Sequence, residues 1–159
     1  MNFVMLRQKS EGSDKRQIQV LKTLATNLER RSQCWIHAYV VCRETEKEAK
    51  DYLHHYVIEK GDNTAVNNML DIFGLQSKTL EPEVLDNFKF HFKAGHGGYP
   101  LIGTPEQIVA DIQRLSKMGV NGILLSWVDY LKEAQQWIEQ VIPLMEQVGL
   151  RQPFQLYSK

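Results

Sequence analysis

Residues 104–130 restrict what this chain can fold into more than any other segment. Thr104 stands before Pro105 and three residues ahead of Gln107. That is a capping box with proline at the first helical position, where its missing N–H does no harm. Ile108, Ile112 and Leu115 fall on one face of the predicted helix, and Gly119 can take the left-handed turn that ends it. Asn121-Gly122 then launches Ile123-Leu124-Leu125, an apolar run too short for a helix and suited to a parallel strand buried on both faces. Asp129 caps a further helix. Helix, tight turn, buried strand and helix form the repeating unit of an α/β barrel or a doubly wound sheet.

The rest of the chain repeats that logic. Asn2-Phe3-Val4-Met5-Leu6 reads as a strand, and a polar link precedes a helix capped by Asp14 with an inward stripe of Ile18, Leu21, Ala25 and Leu28. Residues 35–41 mix β-branched and aromatic side chains in a second strand. Arg43-Glu44 leaves that strand, and a Thr45/Glu48 box opens a helix carrying Ala49, Tyr52 and Tyr56 inward. Between about 62 and 93 the alternation stops. Asp62 caps a short helix with Val66, Met69, Leu70 and Phe73, and 79–92 is a second helix with Pro82 near its start. This helical stretch reads as an insertion between the second strand and the Thr104 helix, with Leu101-Ile102 only a short apolar step. In the last helix Leu131, Ala134, Ile138, Val141, Met145 and Val148 point inward, Pro143 kinks it and Gly149 closes it.

The chain, 1–159, is thus expected to be one unit with three parallel strands and helices on one side. Three strands cannot close a barrel, and the other face is left bare. The expectation is that the chain is the last portion of something larger, which pairs with a preceding segment or self-associates. With 19 basic and 19 acidic residues interspersed there is no basic face for nucleic acid. No apolar run approaches the ~20 residues that span a membrane. Cys34 and Cys42 lie eight residues apart on one strand, too far to pair, and read as reduced core thiols of a cytoplasmic protein. His54, His55 and His91 fit no metal-ligand spacing and read as solvated helix positions. The glycines at 95, 97, 98 and 103 make no phosphate-binding fingerprint.

Three pieces carry a resemblance. Ala38-Tyr-Val-Val-Cys-Arg-Glu-Thr-Glu-Lys-Glu-Ala49, Gly97-Gly-Tyr-Pro-Leu-Ile-Gly-Thr-Pro-Glu-Gln-Ile108 and Gly119-Val-Asn-Gly-Ile-Leu-Leu-Ser-Trp127 are similar, in that order, to the C-terminal part of the bacterial luciferase-like flavin-dependent monooxygenases. The flavour is that of the branch acting on dimethyl sulfide and other organosulfur compounds. The resemblance implies an α/β fold, a partial TIM (β/α)8 barrel holding strands six to eight, with the insertion after the seventh. It implies reduced FMN from a separate flavin reductase, with oxygen and a small organic substrate as reactants and a peroxyflavin as the oxygenating species. Most FMN contacts would belong to the five βα units that are not in this sequence, so the chain should not bind flavin well alone. A related hydride-transfer enzyme using a deazaflavin shares the barrel and is a weaker alternative. A non-catalytic module, folding and self-associating without turnover, is the other.

Barrel sites lie at the C-terminal ends of the strands. Alternation along the second strand puts Trp35, His37, Tyr39 and Val41 on one face and Ile36, Ala38, Val40 and Cys42 on the other. The resemblance sets polar, protonatable side chains at the positions of His37 and Tyr39, facing flavin and substrate, which makes these the catalytic candidates. Hydrogen-bonded lumen fillers are the plainer reading of both. Ser126 and Trp127 end the third strand at the active-site mouth, as ligand contact and pocket wall or as ordinary packing. His96, Gly97, Gly98 and Tyr99, with Gly95, form either a lid-like segment beside the pocket or a surface loop.

Overall fold

The computed structural model describes residues 2–3, 11–74 and 81–155. Its elements in order are β1 (Asn2–Phe3), α1 (Glu11–Asn27), β2 (Cys34–Cys42), α2 (Glu46–His54), a π-helical turn (His55–Glu59), α3 (Asn63–Ile72) and α4 (Pro82–Gly95). There follow β3 (Tyr99–Gly103), α5 (Pro105–Met118), β4 (Gly122–Ser126), α6 (Tyr130–Gln136), a second π-helical turn (Trp137–Val141) and α7 (Ile142–Gln147). Val4, Met5 and Leu6, expected to extend the first strand, lie outside the described residues.

β2 is the middle of an all-parallel sheet. Trp35 pairs with Phe3 and also with Gly122, so β1 and β4 lie on opposite edges of β2. Ala38 and Tyr39 pair with Leu125 and Ser126 on one side and with Tyr99 and Pro100 on the other. β3 therefore shares the edge of β1, farther along the strand. The three strands that alternate with helices, β1, β2 and β4, stand side by side in chain order, as neighbouring strands of a β/α barrel do. β3 is the addition: the apolar step Leu101-Ile102 is the centre of a real strand. Its Pro100 is tolerated because β3 is an edge strand, with no described strand on its far side.

Local chemistry explains most boundaries. At α5, Gln107 N–H donates to Thr104 Oγ1 and the Gln107 side chain accepts from Thr104 N–H, while Gly119 closes the helix at φ +104°. At α2, Thr45 and Glu48 make the same reciprocal pair. α1 starts at Glu11, so Asp14 lies within its first turn and does not cap it. Leu28, expected inward, is 68% exposed beyond the helix end. Asp129 caps α6 as its sequence suggests, but the inward stripe differs. Leu131, Ile138 and Val148 are exposed, while Trp137 and Val141 are buried. The π turn widens the helix here and shifts the phase that a regular 3.6-residue period extrapolates.

Side chains from α1 (Ile18), α5 (Ile108, Val109, Ile112, Leu115) and the second π turn (Trp137, Val141) pack on Cys34, Ile36, Ala38, Val40 and Cys42 of β2. Each of these β2 residues is 5% exposed or less. On the opposite face, Tyr39 and Val41 pack with Ala49, Leu53 and Val57 from the α2 arm and Ala94 from α4. α3 and α4 hold each other through Val66, Leu70 and Leu85. Leu124 of β4, level with His37, stays 54% exposed. No described helix is long and apolar enough to cross a membrane.

Candidate functional site

Residues laterally paired across parallel strands point to the same face. Trp35, His37 and Tyr39 therefore share a face with Gly122, Leu124 and Ser126. Here His37 Nε2 lies 3.0 Å from Ser126 Oγ. Ser126 Oγ also donates to the Ala38 carbonyl at 3.4 Å. The Ser126 hydroxyl thus joins the His37 imidazole to the backbone of β2. Burial, and then the charge of His96, hold the His37 pKa below its ordinary 6.5, so the ring is neutral at physiological pH. A half-buried neutral imidazole held by a hydrogen bond can accept a proton.

Gly98 is buried against this imidazole. A Cβ on it would sit 2.7 Å from His37 Nδ1. The segment expected as a lid or loop is a hydrogen-bonded helix-to-strand turn. His96 takes the left-handed conformation that ends α4, at φ +53°. Gly97 N–H donates to the His91 carbonyl at 3.0 Å and Gly98 N–H to the Gly95 carbonyl at 2.9 Å.

Tyr39 is 2% exposed and lies beneath α4. Its hydroxyl is 3.0 Å from His91 Nδ1. Burial pushes the Tyr39 pKa well up and the His91 pKa down. Both are neutral, and the two share one hydrogen bond. His91 is therefore no solvated helix position, as its sequence context suggested, but the partner of Tyr39. The signal was present in Ala94-Gly95, three and four residues on. Gly95 lies so close to the Tyr39 ring that a Cβ there would overlap it, and the same helix face must also carry residue 91. His54 and His55 are exposed.

Two of the named residues fall elsewhere. Tyr99 pairs with Ala38, so it faces the helices, where its hydroxyl accepts from Arg114 at 3.1 Å. Trp127 packs edge-on to Trp137 and Tyr130, and its buried Nε1 has no hydrogen-bond partner. The structure thus brings together His37, Ser126 and Gly98, with His96 near and Tyr39–His91 one step along β2. Sequence reading passed over another pair at the strand ends. Arg43 Nη2, just past β2, lies 2.8 Å from Glu133 Oε1 of α6. Nothing in a linear sequence links positions 90 residues apart.

No protein-family model matches the chain. It is 32% identical over 119 residues to the FMNH2-dependent dimethylsulfone monooxygenase of Pseudomonas fluorescens (strain Pf0-1), an alignment covering 71% of the chain and 32% of the relative. It is 26% identical over 129 residues to the sulfoquinovose monooxygenase of Agrobacterium fabrum, covering 72% and 34%. Among solved structures, DmoA from Hyphomicrobium sulfonivorans superposes with a TM-score of 0.70 at 14% identity, over 92% of the chain and 37% of the neighbour. The long-chain alkane monooxygenase LadA gives 0.69 at 17%, over 97% and 38%. At such identities the structural matches speak for the fold. The chain spans about a third of the length of the curated relatives it matches.

Proposed function

Because the chain is a relative of the FMNH2-dependent, luciferase-like monooxygenases, matching about a third of their length, we propose that it supplies one wall of such an enzyme's catalytic barrel. The substrate is a small organic molecule, organosulfur compounds first among the candidates. The observation that supports this best is the His37–Ser126 pair. It sits on the sheet face that the chain's own helices leave partly open, beside the exposed side chain of Leu124.

The residues on that face suit a flavin ring. Leu124 offers an apolar patch, and His37 and Ser126 a polar edge. None of the β2, β3 and β4 residues of this face is cationic, so the phosphate must be held by another part of the barrel. Reduced FMN, delivered by a separate flavin reductase in the cytoplasm, supplies the electrons that activate oxygen. The chain's own share is narrower. His37 takes or returns a proton, Ser126 holds its ring in place through their hydrogen bond, and Leu124 keeps water from the reacting groups.

The remaining βα units come from a preceding barrel segment that packs on α1, where Val20 and Leu24, with Leu28 just past its end, are exposed at 51%, 57% and 68%. The same residues would accept a second copy of the chain, which is the non-catalytic reading. One experiment separates them. The chain is co-expressed with the N-terminal two-thirds of a dimethylsulfone monooxygenase relative, and oxygen uptake is followed with reduced FMN and dimethyl sulfone. Substrate-stimulated uptake that disappears in His37→Asn supports the enzyme reading. A homodimer by light scattering, with no stimulated uptake, supports the other.

A further inference from the structure

We propose that the Arg43–Glu133 pair is a clasp that positions Ser126 against His37; the inference rests on the reading of His37–Ser126 as the functional pair. Glu133 is the only buried charged side chain among the described residues, 7% exposed. Both its oxygens are fully engaged. Oε1 accepts from Arg43 Nη2 at 2.8 Å, and Oε2 accepts from the backbone N–H groups of Val128 at 3.1 Å and Asp129 at 2.9 Å. Arg43 in turn donates through Nη1 to the Cys42 carbonyl at 2.6 Å and lies 3.8 Å over the Tyr52 ring.

One carboxylate therefore grips the backbone that leaves β4, and one guanidinium, fixed where β2 ends, grips the carboxylate. The His37–Ser126 bond spans the same two strands a few residues below. The ladder between β2 and β4 ends at Tyr39↔Ser126; just beyond it Trp127 packs on the core, and among the described residues the clasp adds a polar tie between the exit of β4 and the end of β2. The bond to Asp129 N–H resembles the reciprocal half of a cap, since Asp129 caps α6 through Lys132 N–H, but capping accounts for neither the Val128 N–H nor Arg43. Stability alone is also a weak reason for a buried pair, since well-packed apolar side chains commonly do as well. What the pair adds is direction: the planar guanidinium is fixed at two points, Nη1 on the Cys42 carbonyl and Nη2 on a carboxylate that is itself held by two amides.

The test uses the 159-residue chain and NMR titration of the His37 imidazole nitrogens. Ser126→Ala gives the reference for a lost bond, and its His37 midpoint falls below the wild-type value because the cation loses an acceptor. Glu133→Gln and Arg43→Met, under conditions where circular dichroism shows a folded chain, are expected to move the midpoint toward that reference. They should also speed amide exchange at Val128 and Asp129 by about tenfold. Arg43→Lys, which keeps the charge but loses the fork, should fall between wild type and Arg43→Met. If the His37 midpoint stays at the wild-type value in folded Glu133→Gln and Arg43→Met, the pair is purely structural and the proposal is overturned. If Ser126→Ala itself leaves His37 unmoved, the functional pair fails first and the clasp with it.

Discussion

The two faces of β2 obey different rules. Cys34, Ile36, Ala38, Val40 and Cys42 alternate with Trp35, His37, Tyr39 and Val41 along nine residues. The first set is sealed by helices from three parts of the chain, and burial pushes the Cys42 thiol up to about 11. The second set mixes aromatic, imidazole and aliphatic groups, joined to their surroundings by single hydrogen bonds, and beside it Leu124 stays open. One face is complete with what the chain carries. The other is finished only where the α2 arm and α4 cross it. A strand can therefore stabilise a fold with one set of side chains and leave the alternate set available for chemistry.

The sharpest way to break this comparison is truncation on each face. Ile36→Ala, at 1% exposure, should lose about 3–4 kcal/mol in urea unfolding. Leu124→Ala should stay within about 0.5 kcal/mol, as exposed substitutions do. Equal losses would mean that the second face is also core. Next comes Gly98→Ala, whose methyl group meets His37 Nδ1. A cost of about 1–3 kcal/mol is expected, with a displaced His37 signal in the NMR spectrum, and an unchanged signal would contradict the close approach.

A smaller effect follows from pH. His37 and His91 are both held below 6.5 by burial, so the unfolded chain binds more protons than the folded one as pH drops through that value. Stability should be level above about pH 6.5 and decline below it, until the folded-state pKa values are passed. Replacing His91 with Gln should flatten the decline measured by urea midpoints; an undiminished slope would place the titration elsewhere. The smallest expected signal is flavin binding. FMN added to the chain alone should show no fluorescence saturation below about 1 mM, because the open face carries no cation for the phosphate.

The sealed face was the more legible of the two. Thr104, Pro105, Gln107 and Gly119 announce α5 by local chemistry alone, and simple alternation separates Ile36 from His37. β3 stayed hidden because Pro100 and its flanking glycines read as a loop, and only pairing with residues some sixty positions earlier makes it a strand. His91 stayed hidden for a related reason. Its environment is supplied by β2, and only the small pair Ala94-Gly95 hints at it. Glu133 and Arg43 are ordinary surface residues until the fold brings two strand exits together. Local signals decide elements, whereas the site is assembled from contacts between distant parts of the chain.

The widened turn at Trp137–Val141 carries a consequence for how the C-terminal helix tolerates change. A π turn holds one residue more than the α-helical turn it replaces. Removing exposed Gln140 would let the backbone revert to ordinary α-helical bonding with both flanks in place. The same deletion in α5 would rotate everything after it by about 100° and pull Ile112 and Leu115 out of register. Slack of this kind gives the C-terminal helix a point where its length can shrink by a residue without rewriting the fold.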